Sequence, residues 1–321
     1  MATHLCVYAD EVLRKTLEQC PVLKGRNIRF NAICQGGYKQ PQQLLALAYY
    51  LSLGTEIDMV INIDGVNELY IYYKNARVFN IDPSFPLHWA AETASNEKQF
   101  ALLDFDRRVA TARERESSFY SRAENTGLVR SALVRFLGRT LHIYTARSIS
   151  AMQEKVETMV AEQGQEGSLT YEQTGPIYAD FEKDPELFKE ASRLWERSNL
   201  LIDTLLHGLG IPYLVCIQPN QYFAGTRDLL PTEKESAYHT ESEFYYPLVN
   251  GYTYLLEAKD RLMGQGVSVA DLTGVFNDEP ETIYADVCCH YTLLGNQILA
   301  REVGQAACQT LTDAHSATGT E

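Results

Sequence analysis

A strand, a glycine turn, a helix and a second strand follow one another between residues 28 and 63, and this run constrains the fold most. Ile28 to Ala32 alternates apolar and polar residues, as a short strand does. It leads into Gln35-Gly36-Gly37-Tyr38-Lys39-Gln40-Pro41, a glycine turn. Pro41 suits the first turn of a helix expected over 42–54, because it has no amide to lose there. Met59-Val60-Ile61-Asn62-Ile63 has the apolar character of a buried strand, closed by Asp64-Gly65-Val66-Asn67-Glu68. A βαβ order of this kind implies a parallel sheet, since the crossover returns the chain to the end of the sheet where the first strand began.

The pattern then stops for about 140 residues. Residues 100–205 read as mostly helical with mixed-sign charge, so a helical insertion is expected over about 69–205. Sheet character resumes at Tyr213–Ile217, after the stop Gly208-Leu209-Gly210. A helix over about 235–260, a strand near Val267–Ala270 and a last helix over 292–311 follow. An amphipathic helix over 4–20 precedes the first strand, with Pro21 ending it. The expected organisation is one α/β domain over 1–311 and a disordered tail over 312–321.

Composition narrows the function classes. A formal net charge of −14 argues against a nucleic-acid groove, which needs a basic footprint. No apolar run reaches the roughly 18 residues of a membrane span. The seven cysteines are odd in number, form no CxxC and suggest no disulfide framework, which favours a reducing compartment. Cytoplasmic placement is the default expectation, and any signal or anchor ahead of Met1 would change it.

Three loops are expected at the C-terminal ends of parallel strands, where open α/β sheets place their sites. They carry Gly36-Gly37, then Gly65 and Asn67, and finally Asp286 and His290. Alone, each has a plain structural reading: a turn, a capping Asn, or a surface pair at i, i+4 on a helix. Cys288-Cys289-His290 offers no zinc pattern, because adjacent cysteines rarely point at one ion and no second ligand pair exists; no metal or cofactor is expected.

In order and spacing, the three loops together resemble the SGNH (GDSL-type) hydrolase superfamily, in an uncharacterised bacterial subgroup. Gly36 to Leu44, Asp64 to Glu68, Gln218-Pro219-Asn220-Gln221 and Asp286 to Asn296 carry the likeness. It implies a flavodoxin-like three-layer α/β/α fold with strand order 2-1-3-4-5, and an esterase or lipase-like serine hydrolase acting on an acyl or O-acetyl ester. His290 would be the general base, Asp286 its orienting partner, and Gly37 with Asn67 the oxyanion hole. One departure is that His follows Asp by four residues here, against three in the superfamily.

The nucleophilic serine has no place in the chain. Thr3 is the nearest hydroxyl to the expected position, but no strand precedes it; Ser52, Ser118 and Ser168 fall in a helix, the insertion and a polar loop. Met1-Ala2 matches the end of the family's Gly-Gly-Ser block, so the expectation is that the serine and the central strand lie ahead of Met1 or are lost. The expected partner is a small-molecule or carbohydrate ester; Tyr70, Tyr72, Tyr73, His88 and Trp89 could contact it, but core packing is the plainer reading of these residues. The alternative is a non-catalytic relative that keeps the pocket and binds a ligand.

Overall fold

The computed structural model describes residues 10–32, 37–78, 82–84, 119, 131–162, 181, 183–223 and 227–318. The chain divides into two compact units, one made of Met1–Pro86 with Ala179–Glu321 and the other of Leu87–Tyr178.

The first unit is mixed α/β. Helix α1 (Asp10–Glu18) and a 3-10 turn (Pro21–Leu23) precede α2 (Gln42–Ser52), β1 (Val60–Asp64) and α3 (Val66–Arg77). In the second unit the described helix is α4 (Ala132–Glu162). The first unit then continues with α5 (Asp184–His207), β2 (Tyr213–Ile217), α6 (Pro231–Ser236), α7 (Tyr245–Gly264), β3 (Val269–Asp271) and α8 (Leu293–Thr318). Among the described residues its three strands lie in the order β1-β2-β3, all parallel, with Ile61 opposite Leu214 and Cys216 opposite Ala270.

Strand β2 is buried along its whole length, and its period of two explains how helices cover both faces. Tyr213, Val215 and Ile217 join a core with Val66 and Leu69 of α3, Trp195 and Ile202 of α5, and Tyr252 and Leu255 of α7. Leu214 and Cys216 point the other way, to Leu13 and Leu17 of α1 and Leu299, Val303 and Ala307 of α8. Helix α5 forms because Leu187, Phe188, Ala191, Trp195, Ile202 and Leu206 recur at helical spacing on one buried stripe. Asp184 and Glu186 in its first turn and His207 in its last suit the helix dipole.

Several expectations change here. Ile28–Ala32 forms no ladder with another described residue; Arg14 instead donates to the Ile28 carbonyl and lies 5.0 Å from the Phe30 ring centre. A strand needs a hydrogen-bonded neighbour, and alternation alone cannot supply one. Residues 69–77 and 184–205, expected inside the insertion, belong to the helices Val66–Arg77 and Asp184–His207 of the first unit, and the second compact unit begins at Leu87 and ends at Tyr178. Tyr70 and Tyr72 are core residues of α3, and the Tyr73 ring stacks on Phe188 with centres 5.7 Å apart. His88 and Trp89 lie outside the described residues. Helix α8 continues through Thr318, where a disordered tail was expected from 312.

Cysteine usage changes as well. Cys20 and Cys308 form a disulfide across 288 residues of sequence, with Cα atoms 5.6 Å apart. Pairing over such a distance leaves no spacing pattern, so the preference for a reducing compartment loses its support. No described helix is long and apolar enough to cross a membrane.

Candidate active site

The Asp286–His290 segment is a loop, not a helix turn. Tyr284 and Tyr291 form an antiparallel bridge at its base, and the Ala285 amide donates to the His290 carbonyl at 2.8 Å. Asp286 closes the loop from inside: its Oδ1 accepts from the Cys288 amide at 2.8 Å and from the His290 amide at 3.3 Å. Cys289 takes a φ of 62°, an unusual value for a non-glycine residue, and this reverses the chain within the five residues. Oδ2 is left to meet His290 Nδ1 at 2.7 Å. The i, i+4 spacing thus makes contact through a turn built by the aspartate itself.

Electrostatics favour an ionised Asp286. Burial pushes the carboxyl up, but the adjacent His290 imidazole and the amides of Cys288 and His290 outweigh burial and hold it at about 2. An ionised carboxylate fixes the ring with its proton on Nδ1 and stabilises the imidazolium that proton transfer would create.

The loop after β2 carries this turn. Gln221 donates through Nε2 to the Asp286 carbonyl at 2.8 Å and to the Ala237 carbonyl at 2.9 Å. Tyr222 donates its hydroxyl to the Val287 carbonyl at 2.9 Å, and Tyr291 donates to the Pro219 carbonyl. In the sequence, Gln218-Pro219-Asn220-Gln221 carried only the family likeness. Here Gln221 positions the Asp286 turn, through hydrogen bonds between segments far apart in sequence.

Gly37 and Asn67 form a second cluster. Gly37 has a φ of 83°, and Asn67 at the start of α3 donates to the Tyr38 carbonyl at 2.8 Å, so the turn is held against the helix N-terminus. The amide that was expected to serve an oxyanion therefore also secures the Gly37 turn; its NH₂ group has a second hydrogen. Gly36 lies outside the described residues. Both clusters adjoin the 218–222 loop, because Gln218 donates its amide to the Asp64 carbonyl at 2.9 Å just ahead of Gly65.

Gly65 is required where it stands. Its φ is 147°, and a Cβ there would overlap the Tyr252 hydroxyl and come within 2.9 Å of Gln218 Cγ. Gly65→Ala is expected to lower unfolding free energy by about 2 kcal/mol or more, from backbone strain of roughly 1–3 kcal/mol plus that overlap. Urea denaturation measures it, and an unchanged midpoint would contradict this geometry.

A buried polar cluster that sequence reading missed lies behind the second loop. Asp64 Oδ2 accepts from Trp195 Nε1 at 2.8 Å and Oδ1 from Gln43 Nε2 at 3.2 Å, while Glu68 accepts from the Gly65 amide at 2.6 Å. Burial, then the neighbouring Glu68 charge, push the Asp64 carboxyl well up; burial also raises Glu68. Burial lowers the Lys39 ammonium to about 8, against the pull of Glu68 and Asp82. The Asp64–Glu68 spacing is the one signal in sequence, since a Glu at the third helical position is a capping residue.

Among the described residues, no serine takes the nucleophile's place: Ser52, for example, donates to the Ala48 carbonyl within α2. Thr3, Ser118 and Ser168 lie outside those residues. Compared with known proteins, the chain matches no family model, no curated protein and no solved structure.

Proposed function

We propose that this chain is built as an SGNH/GDSL-type ester hydrolase, with His290 and Asp286 as its acid–base unit and Gly37 with Asn67 as oxyanion donors. The observation that carries the reading is the 2.7 Å contact of an ionised Asp286 with His290 Nδ1, on a loop tied to the end of β2. The parallel order β1-β2-β3 supports it, being the order of the last three strands of a flavodoxin-like 2-1-3-4-5 sheet. Helices on both faces of β2 agree with a three-layer arrangement.

In this reaction a serine hydroxyl attacks the ester carbonyl and passes its proton to His290 Nε2, while Asp286 stabilises the imidazolium. The oxyanion takes hydrogen bonds from the Gly37 amide and the Asn67 side chain; His290 then returns the proton to the departing alkoxide. The serine of the block that the family resemblance implies is proposed to lie ahead of Met1 or to be lost, and the substrate to be an acyl or O-acetyl ester of a small molecule or carbohydrate.

The test begins from the gene's reading frame, with any in-frame codons ahead of Met1 expressed together with residues 1–321. That product is expected to cleave a short-chain aryl ester, and His290→Ala to reduce turnover by about 10²–10⁴-fold, the range of general acid–base catalysis. Full turnover by the variant would refute the role of His290. A correctly folded product that binds ester without cleaving it would support the non-catalytic reading instead.

A further inference from the structure

We propose that the Asp286–His290 loop is a binding site for a borderline-soft divalent cation, zinc by its chemistry, held by the Asp286 carboxylate, the Cys288 thiolate and the His290 imidazole. One carboxylate oxygen, the sulfur and one imidazole nitrogen lie within 4.8 Å of one another. All three residues are partly exposed, so an ion reaches them from solvent.

The Cys288 thiol does not stand where a relay's nucleophile would. In a relay the imidazole ring stands between the carboxylate and the nucleophile, with each on a different ring nitrogen. Here the thiol lies close to both partners, so three donors converge on one point. The adjacent cysteines, which argued against metal in the sequence, separate in the fold. Cys289 is buried and turned by its φ of 62°, while Cys288 is partly exposed beside His290. A single thiolate, an imidazole and a carboxylate are each ordinary zinc ligands, and three protein ligands leave a fourth tetrahedral position for water.

The loop is prepared for the ion before it arrives. Asp286 Oδ1 is occupied by the amides of Cys288 and His290, which aims Oδ2 at the convergence point. Gln221 holds the Asp286 carbonyl from behind. Binding replaces the hydrogen bond between Oδ2 and His290 Nδ1 with bonds to the cation; the imidazole proton moves by way of solvent from Nδ1 to Nε2, and the thiol proton is released to solvent. Cation occupancy and proton relay draw on the same lone pairs, so they exclude each other.

Cobalt(II) is the probe, since a cobalt–thiolate bond gives a near-ultraviolet charge-transfer band and tetrahedral cobalt absorbs in the visible. Titration of the metal-free protein is expected to saturate at one cobalt per chain, with zinc displacing it. Cys288→Ser is expected to abolish the charge-transfer band, and His290→Ala to weaken binding by at least the roughly 10–100-fold that loss of an outer-shell partner costs. Circular dichroism checks that each variant is folded; should one fail, the other tests the same site. Absence of stoichiometric binding, or a full band in folded Cys288→Ser, would overturn the proposal. Both outcomes leave ester hydrolysis untouched, because that reading is measured by turnover of the metal-free protein.

Discussion

Replacing Glu233 with alanine is expected to destabilise the protein by about 3–5 kcal/mol, the cost of breaking a buried ion pair from one side. Glu233 Oε2 meets Arg227 Nη2 at 3.0 Å, with side chains 0% and 3% exposed respectively. Coulomb attraction alone would be weak evidence of stability, since desolvating both charges offsets most of it. The backbone decides the matter. Oε2 also accepts from the Leu230 amide at 2.9 Å, and Oε1 accepts from the amides of Ile283 at 2.7 Å and Tyr284 at 3.1 Å. Alanine would leave a buried guanidinium without its carboxylate and three amides without their acceptor. Glu233→Gln keeps the shape but turns an NH₂ group toward donors, so an intermediate loss is expected. Denaturant unfolding of both variants measures the effect; a loss below about 1 kcal/mol for alanine would be in the range of surface substitutions and would refute the account. Tyr284 begins the bridge that supports Asp286 and His290, so local disorder there is expected to accompany the global loss.

The Cys20–Cys308 bond carries the second large effect. Reduction, or Cys20→Ser, is expected to cost roughly 3–5 kcal/mol, because opening a loop of 288 residues returns conformational freedom to the unfolded chain. For a chain of this size that corresponds to a melting temperature lower by on the order of 10 °C. Packing of Leu13 and Leu17 against Val303 and Ala307 remains after reduction, so the folded state is expected to persist. Differential scanning with and without reductant provides the measurement. Thiol titration of the unreduced, denatured protein gives a second one: finding both cysteines free would exclude the bond.

These two residues show what a linear reading misses. Cys20 lies just beyond α1 and Cys308 within α8, and nothing local relates them. Their proximity follows from the packing of two helices on one face of β2. Glu233 looks from sequence like any acidic residue in a short helix, and its complete burial depends on the segment 281–284 passing beside it. Local pattern succeeded where one element contains its own cause. Tyr213–Ile217 reads as a buried strand because all five residues are apolar or thiol-bearing, and it is one. Ile28–Ala32 has a strand's alternation without a described partner and remains outside the sheet.

For the candidate site the division is similar. Residue type and order singled out Asp286, His290, Gly37 and Asn67, because a carboxylate, an imidazole and glycine turns are chemically recognisable in one dimension. Sequence also determined the parallel α/β character of the chain, through hydrophobic periodicity that each segment carries by itself. Tertiary structure alone decided that Asp286 and His290 meet through a turn, that Gln221 supports it, that Asn67 anchors the Gly37 turn, and that Cys288 joins the pair while Cys289 does not. The reason is that periodicity and chemical type are properties of neighbouring residues. Burial, hydrogen-bond pairing and the convergence of donors are properties of distances between residues that the sequence keeps apart.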